Sequence, residues 1–282
     1  MKTAIIVVIL MLAPIAAAQQ PLDWAKEDGN RVAALEKEGF RLDGEHVILW
    51  CPASLARPDA EALLKQLDPG VAGLWRRVGT HEWQAVRRGR ITYYLSDDAF
   101  VAHATGRGAV FVPMARVRDG RAPLLHEATH ELLASTRTDP AGGPRSSRPL
   151  WLTEGMPDYI ARLVAADVGM KEVGPFDTPT IAGADAICTE RARTPDGATM
   201  IPSVGTNERP AVLFTTDRSR FAPTFYTCSL SLVSYLASHV GLNELIDLFG
   251  YGPVDMNARL DRFHGKKLSD WRAEWLQLLK IG

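Results

Sequence analysis

The segment His126-Glu127-Ala128-Thr129-His130 constrains this chain more than any other, because its two histidines can act together only on a helix. Residues four apart in an α-helix are turned by about 400° and stand one turn above each other on the same face. Two imidazoles so placed can hold a single Zn²⁺ at about 2.0–2.1 Å. Glu127 lies at the edge of that face, where its carboxylate reaches a water beside the metal instead of the metal itself. Zinc lowers the pKa of such a water towards about 7, and a carboxylate can then take its proton as it attacks a carbonyl. Leu124, Leu125, Leu132 and Leu133 flank the motif and would anchor its helix in a core.

A catalytic zinc needs a third protein ligand and an open position. Glu154, in the run Trp151-Leu152-Thr153-Glu154-Gly155-Met156-Pro157-Asp158-Tyr159, is the candidate. Thr153 reads as an N-cap, so Glu154 would open a new helix with Pro157 in its first turn. The distance from His130 leaves room for the first helix to end, a loop to turn, and a second helix to return beside it. Asp158 follows Glu154 by one turn and shares its face. From there it can accept a hydrogen bond from the outer ring nitrogen of a zinc histidine.

This pattern resembles the gluzincin branch of the zincin metallopeptidases, to which thermolysin and the aminopeptidase N group belong. The resemblance rests on HExxH, the Trp-Leu-x-Glu-Gly phrase at 151–155, and the acidic residue four positions after the glutamate. It implies that His126, His130 and Glu154 are ligands of Zn²⁺, that Glu127 is the general base, and that Asp158 supports His126. It also implies an edge strand ahead of the first metal helix, here 108–117, that holds a peptide or protein substrate. Tyr226, in Phe225-Tyr226-Thr227-Cys228-Ser229, is similar in placing to a tyrosine that stabilises the oxyanion from a helix start. His239 is the other candidate for that role. A metzincin would require Gly at Leu133 and His at Thr136, and the inverted HxxEH order is absent. The Gly-x-Met-Glu-Asn phrase of the aminopeptidase group is also absent, which ranks endopeptidase above aminopeptidase action.

Export is expected from the first residues. Lys2 provides a positive start, 4–15 an apolar run, and Ala16-Ala17-Ala18 a small-residue cleavage site ahead of Gln19. The run is shorter than the roughly 20 apolar residues of a membrane span. No cysteine follows the cleavage site, so no lipoprotein anchor is expected, and the reading is a secreted or periplasmic protein without a stable membrane anchor. Export permits disulfides. With three cysteines, Cys51, Cys188 and Cys228, at least one stays unpaired in a monomer. Cys188 with Cys228 is the preferred pair, since it would pin an irregular segment onto a helix. Net charge is -1, which gives no global basic field for nucleic acid.

Along the chain, 22–38 reads as a helix or a loosely ordered arm and 46–50 as a strand. The stretch 59–78 reads as two helical pieces split at Asp68-Pro69-Gly70, and 90–95 as a strand. Residues 99–104 read as a short helix and 108–117 as a strand. Helices follow at 124–135 and 154–168, a loop lies at 138–149, and an irregular Thr/Pro/Gly segment spans 174–220. Helices at 224–240, 242–249 and 268–279 close the chain. The expected class is α+β and zincin-like. A strand-containing N-terminal lobe at 19–122 precedes a helical lobe at 123–282, with the metal site between them. His46, His81, His103 and His264 have no partner spacing and read as structural or exposed, while Trp151, Trp271 and Trp275 read as core. Two alternatives to an exported zinc peptidase remain: a non-catalytic zinc- or peptide-binding module on the same scaffold, and a zinc hydrolase of non-peptide amides or esters.

Overall fold

A computed structural model describes residues 24–79, 89–135, 148–177, 180–249 and 253–281. The expected export signal, His81, the Arg87-Arg88 pair and most of the 138–149 loop lie outside the described residues. Helix α1 (Trp24–Glu38) leads into β1 (Phe40–Asp43) and β2 (Val47–Cys51), and α2 (Arg57–Val78) then precedes β3 (Ile91–Ser96), β4 (His103–Ala104) and β5 (Ala109–Pro113). The rest is helical: α3 (Met114–Arg118), α4 (Leu124–Ser135), α5 (Leu150–Val168), α6 (Ile181–Ala192) and α7 (Pro195–Met200). It ends with α8 (Arg218–Val240), α9 (Leu242–Phe249), α10 (Pro253–His264) and α11 (Leu268–Leu279). The class is α+β, as expected.

The sheet runs β1-β2-β3-β5-β4, with β2, β3 and β5 parallel and the two outer strands antiparallel to their neighbours. A parallel β2–β3 step needs a long crossover, and α2 lies within it. The alternation read in 90–95 holds, with Ile91, Tyr93 and Leu95 fully buried. In β5, Val110 and Val112 join the main core, while Phe111 stacks on Tyr94 and His103. His103 is structural, as read, and bonds Asp28 of α1 at 2.9 Å. One buried cluster takes residues from either side of position 122, from Val47 to Leu279.

Several elements differ from the sequence reading, each for a local reason. Helix α2 is unbroken through Pro69. The Asp68 carboxylate accepts the backbone N–H groups of His46 and Val47 at 2.9 and 3.0 Å, and Gly70 packs against Leu125, where a Cβ would come within 2.9 Å. The residues that looked like a helix break therefore dock α2 on the sheet and on α4. Residues 99–104 form no helix, because His103 and Ala104 pair with Phe111 and Val110 of β5. That pairing also corrects the edge-strand assignment: β5 is an inner strand and β4 is the edge. β5 ends at Pro113, which stands at the N-cap of α3. β1 and α10 have no counterpart in the sequence reading.

The 174–220 segment is mostly short helices. Two of its threonines are caps: Thr180 accepts from the N–H of Gly183 and Thr194 from that of Gly197, which opens α6 and α7. Cys188 and Cys228 form the disulfide that was preferred, joining α6 to α8 with Cα atoms 4.9 Å apart. Cys51 is free and buried in β2, and its burial pushes the thiol up to about 12 against a smaller opposing effect of Arg57.

Candidate metal centre

The centre is built where α4 packs on α5, and α5 in turn on α8. His126 and His130 project from one face of α4, as their spacing requires, with ring nitrogens Nε2 3.0 Å apart. Glu154 Oε2 lies 3.8 Å from the Nε2 of His126 and 3.5 Å from that of His130. Among the described residues these three form the group able to hold a metal ion. A circle through points with those separations has a radius of about 2.0 Å, so one cation can meet all three atoms at zinc bonding distance. The donors also match zinc chemically, being two imidazoles and one carboxylate.

Protonation supports the same fit. Asp158, fully buried, lies 3.1 Å from His126 Nδ1. A proton on Nδ1 shared with that carboxylate leaves the lone pair of Nε2 facing His130. Two imidazole nitrogens 3.0 Å apart need a proton or a cation between them. Burial acts to keep His130 neutral, but the hydrogen bond and charge of Glu154, aided by Glu127 and Glu131, win and raise its pKa. Burial likewise opposes ionisation of Glu154, yet the His130 bond and charge, with His126 and the Tyr226 hydroxyl, hold it at about 2.

Glu154 sits in the second turn of α5, not at a helix start. The helix begins at Leu150, with Pro149 at its N-cap, and the Thr153 hydroxyl turns back to the Pro149 carbonyl at 3.0 Å. Pro157 is therefore interior and returns no N–H to Thr153. Gly155 explains the small residue beside the ligand: a Cβ there would come within 2.7 Å of the Ser229 carbonyl of α8. This close approach brings α8 and its Tyr226 against Glu154.

Glu127 is mostly buried. Its carboxylate has no hydrogen-bond or ion-pair partner among the described residues, and its oxygens are not sealed from solvent. Tyr226 lies within α8, eight residues past its first residue, near enough to Glu154 for its hydroxyl to help hold that carboxylate ionised. Burial, then the charge of Glu154, raises its pKa well above the usual phenol value, so it remains a proton donor. Arg218 donates to the same hydroxyl at 3.3 Å. His239 belongs elsewhere. It lies about 20 Å further along α8 by helical rise, exposed, with Nδ1 2.7 Å from the Tyr235 carbonyl. The structure thus corrects the reading of His239 as an alternative to Tyr226.

Two acidic groups near the centre have no counterpart in the sequence reading. Glu131, fully buried, accepts the N–H of Gly106, that of Gly108 at 2.5 Å and the Thr105 hydroxyl at 3.2 Å, so α4 itself holds the β4–β5 turn. Glu172 accepts the backbone N–H of His126 at 3.0 Å, with the N–H of Leu125 close by, and so caps α4 from another part of the chain. Burial raises Glu172 to about 8, against the opposing effect of those N–H groups and Arg162. A charged residue amid the leucines after His130 was a signal for Glu131, whereas nothing local marks Glu172. No protein-family model, curated protein or solved structure matches this chain.

Proposed function

We propose that this chain is an exported zinc-dependent hydrolase that cleaves peptide or protein bonds, with endopeptidase action favoured. The observation that carries the reading is the convergence of His126, His130 and Glu154 at zinc spacing beside a carboxylate, Glu127, that has no partner of its own among the described residues. A purely structural zinc site has no use for such a base and is closed by four protein ligands. Zinc held by these three residues would supply a polarised carbonyl and a water acidified to about pKa 7.

The other roles belong to the chain's own groups. Asp158 fixes the tautomer and orientation of His126. Glu127 takes a proton from the attacking water and returns it to the leaving amine. Tyr226 donates its hydroxyl proton towards the developing oxyanion, a bond for which Glu154 competes. β4 offers a sheet edge on which an extended peptide can lie, at a position fixed by Glu131.

No helix among the described residues is long and apolar enough to cross a membrane. Digestion of a mixed peptide library by the zinc-loaded protein, with and without a chelator, tests the function. Chelator-sensitive cleavage is expected. Bound zinc without cleavage of any peptide would instead favour the binding module or a non-peptide substrate.

A further inference from the structure

A pocket of about 400 Å³ is lined in part by Arg116, Arg121, Phe176, Asp177 and Ser219. On one side it meets the oxyanion donor: the Phe176 ring lies 5.1 Å from that of Tyr226, and the Arg218 guanidinium stands 5.3 Å over Phe176 while bonding the Tyr226 hydroxyl. On another side Arg116 lies within electrostatic reach of Glu127. The pocket is thus linked to both groups assigned to the chemistry, to Tyr226 through the Phe176 ring and to Glu127 through the charge of Arg116.

Its charges are unevenly matched. Arg121 and Asp177 satisfy each other through a two-bond fork. Arg116 is half-buried and has no hydrogen-bond or ion-pair partner among the described residues, nor are its nitrogens sealed from solvent. Burial lowers its pKa, with Asp177 and Glu127 opposing, yet an arginine stays charged at any physiological pH. A partly desolvated guanidinium without a fixed partner is a site for an anion with carboxylate geometry.

We propose that this pocket is a specificity subsite and that Arg116 binds a carboxylate on the substrate close to the bond that is cut. Both an acidic side chain and a free C-terminus carry that group. The proposal rests on the hydrolase reading above, in which the neighbouring cluster is the reaction centre. Arg218 adds a second positive charge at the same cleft without being the primary contact, because it already serves the Tyr226 hydroxyl.

The test is binding, measured by calorimetry on the full chain, zinc-loaded and carrying Glu127→Gln so that nothing is consumed. The probes are octapeptide pools of uncharged residues that differ only in one fixed Glu or Gln, or in a free or amidated C-terminus. The Glu pool or the free-acid pool should bind about tenfold tighter than its neutral counterpart, and which of the two does so identifies the source of the carboxylate. Adding Arg116→Gln should abolish the difference, and Arg116→Lys should restore part of it, at a melting temperature close to that of the parent. Equal binding of all pools by the parent overturns the proposal, as does an acidic preference that survives Arg116→Gln. Parallel digestion by the chain with Glu127 intact separates the two readings. Acid-selective binding without cleavage removes the peptidase and keeps the subsite, whereas cleavage without acid selectivity does the reverse.

Discussion

At the scale of single residues, the centre divides its tasks among groups whose surroundings differ sharply. Glu154 faces His126 and His130 and is held ionised, whereas Glu127, on the same helix as the histidines, has no hydrogen-bond or ion-pair partner among the described residues. Only the second is free to carry a proton. Glu127→Gln should therefore keep zinc and lose about 10²–10⁴-fold in peptide hydrolysis, and unchanged turnover would remove it as the base. Asp158→Asn should weaken zinc binding about 10–100-fold by loosening the His126 ring, which a competition titration with a chromophoric chelator would measure. The grouping of His126, His130, Glu154 and Asp158 was legible in the sequence because it follows from spacings along helices. Glu131 and Glu172 were not, because each acts on a partner far along the chain, a turn and a helix end, and Arg116 was not, because only the fold makes it part of a pocket wall.

At the scale of elements, helix contacts set the geometry of the site. Gly155 lets α5 and α8 approach until a Cβ would meet the Ser229 carbonyl at 2.7 Å. Gly155→Ala should cost about 1–3 kcal/mol in denaturant unfolding and should also weaken zinc binding, because the helix that must give way carries Tyr226 and the one that pushes carries Glu154. Unaltered stability would show that the two helices can part freely. The strands and long helices were largely readable from periodicity, as in Ile91, Tyr93 and Leu95. What misled were proline, glycine and threonine, whose local preferences are ambiguous. Asp68-Pro69-Gly70 signals a break in isolation, yet here the sheet occupies Asp68 and Leu125 fills the space at Gly70. Thr180 and Thr194 resemble loop composition and instead open helices.

At the scale of the whole molecule, one core joins the sheet to the helical region, and a disulfide with a sequence separation of 40 closes the loop that leads to the Tyr226 helix. Loop-closure entropy gives such a link about 4 kcal/mol, so Cys188→Ser with Cys228→Ser should lower the melting temperature markedly, read by circular dichroism. Cys51, buried with its thiol near 12, should resist alkylation in the native protein and appear as the one reactive thiol on denaturation without reductant. Two further thiols should follow reduction, and a different count would contradict the pairing. The central claim, that the three convergent donors form a zinc site, is tested most directly by the metal content of dialysed protein after zinc loading. About one zinc per chain should remain in the parent and in Glu127→Gln, and almost none in His130→Ala or Glu154→Ala. Zinc retained equally by all four proteins, or by none, would contradict it.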